Sequence, residues 1–338
     1  MGAFSMASFE LFLKTNHKRI DKHLATYFQA GSTQDMTRYL YGPLSEYSAN
    51  SGKRHRPLIC QLACEAVGGD PAKAQRSAAA IEHFHTAALI HDDIEDDAQT
   101  RRGEPCLHIK EGEALAINAG DLALSLVTGS VVSDDQLDDA TKLRVLDELI
   151  AMTTRTIEGQ ALDIGWARDN RFDLDIEDYL LMARHKTACY SGAIPLAVGA
   201  IIGGADDATV ESLRSFGMAA GLAFQIQDDL INLIGSDKSK DFRIDITEGK
   251  RTLIALHALK NSEQSDELLA LLGKHTTDAA EKARAVEIME ESGSIEFARS
   301  YALHLVTDAK AQLNGALSPS KAKDILLSMA GYFIERKM

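Results

Sequence analysis

Ala87-Ala88-Leu89-Ile90-His91-Asp92-Asp93-Ile94-Glu95-Asp96-Asp97 begins as an apolar run and ends in acid. On a helix, positions i and i+4 stack on one face about 6 Å apart along the axis, so Asp92 and Asp96 project together. A second stretch, Ala223-Phe224-Gln225-Ile226-Gln227-Asp228-Asp229-Leu230-Ile231-Asn232, repeats the pattern and aligns Asp228 with Asn232. A single acidic i, i+4 pair is more often a solvated helix face. Here the apolar flanks place the carboxylates at the ends of buried helices. Carboxylates held so close repel unless a cation lies between them. Mg²⁺ suits the role, because it takes one or two carboxylates and fills its other positions with water and substrate phosphates. Two such clusters facing across a cavity would clamp a diphosphate through metal ions.

The surrounding chain reads as helix throughout. Asp70-Pro71 forms a helix start, with Asp as N-cap and Pro at the first helical position. The pattern then predicts helix to about Asp97, roughly 40 Å long. Further long runs span about Asp134 to Trp166 and Asp207 to Gly235. Glycines punctuate the runs, no segment alternates with period two, and no linker-like composition divides the chain. The expected fold is all-α: residues 1–338 as one domain, a large antiparallel helical bundle around a central cavity. The stretch before Met6 reads as unstructured, as an added remnant, or as an upstream start.

Bulk properties narrow the function. At 338 residues the chain can bury a large core, and its 45% hydrophobic and 25% charged content is that of a globular protein. A net charge of −14 with no long basic run argues against nucleic acid as a partner. No apolar run of 18 residues stands out, so no membrane-spanning helix and no stable membrane insertion are expected. The N-terminus lacks the order of a secretory signal, and Met6 stands where myristoylation needs Ser or Thr. Cys60, Cys64, Cys106 and Cys189 form no C-x-x-C pattern and read as core thiols in a reducing cytoplasm.

Cations gather around the acidic clusters. Arg101-Arg102-Gly103 follows the first cluster, and arginine forks grip phosphate oxygens bidentately. Ser51-Gly52-Lys53-Arg54-His55-Arg56-Pro57 is a basic loop leading into a helix, a natural anion site. His85 lies two turns before Asp92, and Lys186-Thr187 and Glu248-Gly249-Lys250 each add a cation. Gln225 precedes Asp228 by about one turn. Taken singly, each has a blander reading: solvated loop, capping histidine or surface lysine.

Taken together, these stretches resemble the trans-isoprenyl diphosphate synthase (polyprenyl synthetase) family. The match runs through 51–57, 91–96, 101–103, Gly159-Gln160-Ala161-Leu162-Asp163, 186–187, 224–229 and Glu248-Gly249-Lys250-Arg251-Thr252, in the family's order. The resemblance implies a helical fold around a deep cavity, usually as a homodimer. It also implies a prenyltransferase condensing isopentenyl diphosphate head to tail with an allylic diphosphate. By the same analogy Asp92, Asp96 and Asp228 bind Mg²⁺, three ions with substrate bound, with Asp93 and Asn232 as further candidate ligands. Arg101, Lys186, Thr187, Gln225 and Lys250 would hold the allylic diphosphate; Lys53, Arg56, His85 and Arg102 would hold that of isopentenyl diphosphate. Asp245 matches the family's supporting acid behind the second cluster. Asp92, Asp96, Arg101, Lys186, Asp228 and Lys250 form the expected catalytic set.

Asn232 departs from the family's usual Asp and offers a neutral carbonyl, a weaker Mg²⁺ ligand. Ala87 and Ala88 lie at the positions that often set the tunnel floor in this family, with Phe84 a turn deeper. Both alanines are small, which disfavours ten- and fifteen-carbon products and points to geranylgeranyl diphosphate. The alternatives are a synthase making twenty-five carbons or more, a farnesyl synthase, a terpene cyclase, a silent regulatory subunit and a helical scaffold that merely binds divalent ions. A cyclase needs no isopentenyl diphosphate pocket, and a silent subunit typically lacks the first acidic cluster.

Overall fold

The computed structural model describes residues 3–335 apart from 29, 51 and 236–242, with side chains from Phe9 onward. Residues 1 and 2 and the side chains of 3–8, on which the reading of the stretch before Met6 turns, lie outside the described residues. So does Ser51 of the basic loop. The helices of eight residues or more are, in order, α1 (Ala3–Leu24), α2 (Gly42–Ala49), α3 (His55–Ala66), α4 (Gln75–Glu95) and α5 (Glu113–Val132). They continue with α6 (Asp139–Arg168), α7 (Ile176–Ala183), α8 (Ile194–Ile202), α9 (Asp207–Ile234) and α10 (Leu253–Asn261). The last are α11 (Ser265–Gly273), α12 (Ala279–Glu291), α13 (Ser294–Ala316) and α14 (Lys321–Ile334). A π-helix, Arg184–Ala193, joins α7 to α8. The fold is all-α, as the periodicity predicts. Among the described residues the exception is a hairpin of two-residue strands, Thr100–Arg101 and Glu104–Pro105, which turns the chain after the first acidic cluster.

Contacts divide the chain into two compact units. The first comprises Met1–Thr153, Ile194–Leu213 and Leu317–Leu326. Its principal packing sets α4 along α5 and α3 along α8. Ala116, Ala119, Gly120, Ala123, Val127 and Val131 recur at helical spacing on α5, and such small side chains let a neighbouring helix approach closely. Ala87 and Ile90 of α4 join Phe28, Leu44, Leu107, Ala116, Ala119 and Ala123 in one buried cluster. By length and composition α5 is apolar enough to cross a membrane, although no uninterrupted apolar run of 18 residues stands out in the sequence. Its apolar face packs on α4, and Asp121 interrupts the other side.

The second unit comprises Thr154–Ala193, Arg214–Ala316 and Leu327–Met338. Here α10 packs on α7, α11, α12 and α13. Leu253, Ile254, Ala255, Leu256 and Ala258 of α10 are buried, and Thr252 caps its N-terminus by accepting the Ala255 N–H at 3.2 Å.

The helix carrying the first acidic cluster starts later than Asp70-Pro71 predicts. Asp70 accepts the Ala72 N–H at 2.9 Å, closing a local turn, and helix begins at Gln75. An Asp-Pro pair can satisfy its own backbone this way without launching a helix. At 21 residues α4 spans roughly 31 Å rather than 40 Å.

Candidate active site

In the first unit, Asp92 is half-buried near the end of α4, and Asp96 is exposed at its C-cap, the Asp96 N–H donating to the Asp92 carbonyl at 2.9 Å. The one-turn spacing is therefore retained. Asp93, between them, points the other way. It is buried, accepts the Tyr47 hydroxyl at 2.8 Å, and takes the Arg101 Nε on its other oxygen. Both oxygens of Asp93, a further candidate ligand, are thus taken up by Tyr47 and Arg101.

The basic loop arranges itself around Arg54, a residue in the left-handed conformation at the N-cap of α3. Its guanidinium is buried against Glu82 of α4 (2.7 Å), Asp21 of α1 (2.7 Å) and the Ser48 carbonyl. That spends Arg54 and Glu82 on each other and fixes where α3 begins. Arg56 and His85 are buried, whereas Lys53 is exposed. Burial, helped by the charges of Arg56, His55, Arg102 and Arg54, holds the His85 imidazole well below its ordinary pKa. It is thus neutral, and able to donate without adding repulsion. Arg102 donates to the Asn50 carbonyl at 2.9 Å and faces Gly52. Lys53 aside, the residues expected to hold one diphosphate share this neighbourhood.

In the second unit, the other set is organised by Asp163, a residue quoted from the sequence only as part of a matching stretch. Asp163 is buried on α6 and accepts the Nζ of both Lys186 and Lys250, the latter at 3.2 Å. Burial works against its charge, but the two lysines outweigh it and hold the carboxyl below its ordinary range. Gly159, one turn earlier, explains the meeting: a Cβ there would lie 2.2 Å from the Lys186 nitrogen. Only a glycine lets the π-helix come near enough for Lys186 to reach Asp163.

A line of residues one turn apart on α9 faces the π-helix: Gly217, Gly221, Gln225 and Asp229. A Cβ on Gly217 would stand 2.5 Å from the Gly192 carbonyl oxygen, and one on Gly221 2.8 Å from the Ala188 Cα. The helices therefore touch backbone to backbone, and this brings Thr187 to Gln225. The Thr187 hydroxyl donates to Gln225 Oε1 at 2.6 Å, Gln225 Nε2 donates to Asp229 Oδ1 at 2.7 Å, and the buried Tyr179 hydroxyl donates to Asp229 Oδ2 at 2.8 Å. Asp228 is half-buried on the same helix. The Asn232 side-chain oxygen Oδ1 accepts the Asp245 N–H at 3.2 Å, so it caps the short helix Ile244–Thr247.

Burial raises the Asp229 carboxyl above the usual carboxylate range, and burial together with Asp229 drives Asp245 well above it. A neighbourhood holding more carboxyl groups than it can ionise alone accommodates a divalent cation. Among the described residues, no three His, Cys, Asp or Glu side chains converge to hold an ion unaided. That suits Mg²⁺, which binds through one or two carboxylates and completes its shell with water and substrate phosphate. Asp92 and Asp96 in the first unit and Asp228 in the second each offer the hard oxygen donors that such an ion takes.

Sequence reasoning missed Tyr47, Tyr179 and the anchoring role of Asp163. Their partners stand 46, 50, 23 and 87 positions away, and no local pattern announces such pairs. The four cysteines are buried and form no disulfide among the described residues.

Known proteins with this architecture carry consistent names. A short chain isoprenyl diphosphate synthase from Methanothermobacter thermautotrophicus is 39% identical over 85% of this chain and 87% of its own. A geranylfarnesyl diphosphate synthase from Natronomonas pharaonis is 38% identical over 84% and 86%. The crystal structure of a geranylgeranyl pyrophosphate synthetase from Pyrococcus horikoshii superposes with a TM-score of 0.88 at 32% identity, covering 97% of this chain and 98% of that one. Another, a geranylgeranyl pyrophosphate synthase from Corynebacterium glutamicum complexed with isoprenyl diphosphate and magnesium, has a TM-score of 0.85 at 28% identity over 97% and 99%. Residues 37–289 match the polyprenyl synthetase family, and the chain belongs to it: it is a trans-prenyltransferase of the isoprenyl diphosphate synthase kind.

Proposed function

We propose that the chain, acting as one helical domain over its 338 residues, condenses isopentenyl diphosphate head to tail with an allylic diphosphate to make geranylgeranyl diphosphate. The observation that carries this reading is the presence of two unlike cationic sets. One, Lys186 and Lys250 on Asp163, lies in an acidic neighbourhood suited to a metal-bound diphosphate. The other, Arg56, Arg102 and neutral His85, neighbours the buried acid Glu82, which is already paired with Arg54. A terpene cyclase ionises one diphosphate and needs only the first set; a condensing enzyme holds two.

The proposed roles follow. Arg101, Lys186, Thr187, Gln225 and Lys250 grip the allylic diphosphate, with Asp92, Asp96 and Asp228 as ligands to Mg²⁺, three ions with substrate bound. Bound Mg²⁺ shields charge growing on the departing diphosphate, in the manner of other preorganised electrostatic sites. Lys53, Arg56, His85 and Arg102 orient isopentenyl diphosphate so that its double bond meets the allylic carbon as the C–O bond opens. The released diphosphate takes the proton. Asp93 holds Arg101 in place, and Asn232 acts as a cap.

Product length rests on α4. Ala88 is half-buried and Phe84, one turn deeper, is buried, while Ala87 lies inside the packed cluster of the first unit. Ala88 therefore lies on the accessible side and Ala87 does not. Twenty carbons is the reading, and a product of twenty-five carbons or more is the second because of the small residue at 88. Four buried cysteines, none in a disulfide among the described residues, support a cytoplasmic location. The exposed Leu143, Ile150 and Ile157, seven apart on α6, support a homodimer.

Labelled isopentenyl diphosphate supplied with dimethylallyl, geranyl or farnesyl diphosphate and Mg²⁺ tests the reading. The expected outcome is one dominant twenty-carbon diphosphate, abolished by chelation of the metal. No elongation with any primer would overturn it.

A further inference from the structure

We propose that Tyr179 is a positioning residue for the allylic diphosphate, acting through Asp229 on Gln225 and Thr187. This rests on the condensation reading above. Tyr179 is 1% exposed, so its hydroxyl reaches neither solvent nor a substrate directly. That hydroxyl is spent entirely on Asp229, to whose Oδ2 it donates at 2.8 Å.

The consequence runs outward. With Oδ2 occupied, Asp229 presents Oδ1 to Gln225, whose Nε2 donates at 2.7 Å. Both Asp229 oxygens accept in this arrangement, so the pairing dictates which end of the Gln225 amide faces Oδ1. The amide oxygen is thereby turned toward Thr187, whose hydroxyl it accepts at 2.6 Å. One amide hydrogen of Gln225 is left over, and its direction is fixed by three hydrogen bonds that begin at Tyr179. Without the tyrosine hydroxyl, Asp229 can rotate to use either oxygen, and the amide loses its reference. A group that must meet a diphosphate oxygen at hydrogen-bond distance loses much when its orientation is no longer prepaid.

A buried tyrosine satisfying its own hydroxyl would produce the same contacts, so the test needs a readout that stability alone does not move. Affinity for a non-hydrolysable allylic thiolodiphosphate with Mg²⁺, measured by calorimetry, supplies one. Tyr179→Phe should weaken that affinity about tenfold while leaving affinity for isopentenyl diphosphate within twofold. In a Gln225→Ala background the same change should cost less than twofold, because the residue it acts through is gone. Equal losses in both backgrounds, equal losses for both substrates, or no loss at all would overturn the proposal. If Tyr179→Phe does not fold, Asp229→Asn enters the same cycle with the same expectations, since its amide would turn Gln225 the wrong way. A wild-type protein that binds the analogue yet elongates no primer would sink the condensation reading alone, and the cycle would still be read from binding.

Discussion

Asp92 and Asp93 are neighbours in sequence with opposite surroundings, one half-buried on the accessible side of α4 and the other wholly enclosed by Tyr47 and Arg101. The same division of labour recurs at Arg54 and Arg56 two positions apart, where Arg54 is consumed by the fold. Its removal has a definite consequence. Arg54→Met leaves the carboxylate of Glu82, 2% exposed, without a counter-charge, and stripping one partner from a buried ion pair costs about 3–5 kcal/mol. Chemical denaturation should register that loss, and Arg54→Met together with Glu82→Leu should recover most of it. A single variant as stable as wild type would mean that Glu82 finds another partner. Nothing in the motif Ser51–Pro57 distinguishes Arg54 from Arg56 in advance, because the distinction is made by Asp21 and Glu82, far away along the chain.

Helices α4 and α9 both place chemistry one turn at a time, and α4 allows a direct test of depth. Ala88 precedes Asp92 by one turn on the accessible side, so Ala88→Phe puts a ring beneath the cluster. The expected result is a product shortened from twenty toward fifteen carbons, read by sizing labelled products. An unchanged product spectrum would remove residue 88 from the tunnel wall. Elements of this kind were legible in the sequence because the apolar period of α4, α6 and α9 is sustained over 20 residues or more. Both acidic clusters, at the ends of such runs, were legible for the same reason. The π-helix Arg184–Ala193 was not, since a widened turn has no compositional mark, and Lys186-Thr187 looked like an isolated cation. Nor did Asp70-Pro71 separate a self-satisfied turn from a true helix start. What escaped was the partner of each buried acid, which depends on tertiary contact.

For the molecule as a whole, an apolar line on α6 stands open among the described residues. Leu143, Ile150 and Ile157 are 68%, 57% and 59% exposed, too consistent along one face to be scattered surface residues. If that line is where two copies meet, Ile150→Glu buries a carboxylate without a partner in each half and should yield monomers by light scattering. A variant that remains dimeric would place the contact elsewhere. The backbone contact between α9 and the π-helix has a different kind of consequence. Where Gly217 meets Gly192 there is no side chain to compress, rotate or repack, so the spacing of the two helices equals the thickness of a peptide. Thr187 and Gln225 are thus set at a distance fixed by covalent geometry rather than by the fit of leucines. Core substitutions elsewhere can soften this protein, through rotamer changes and small voids, before they disturb the pairing of Thr187 with Gln225.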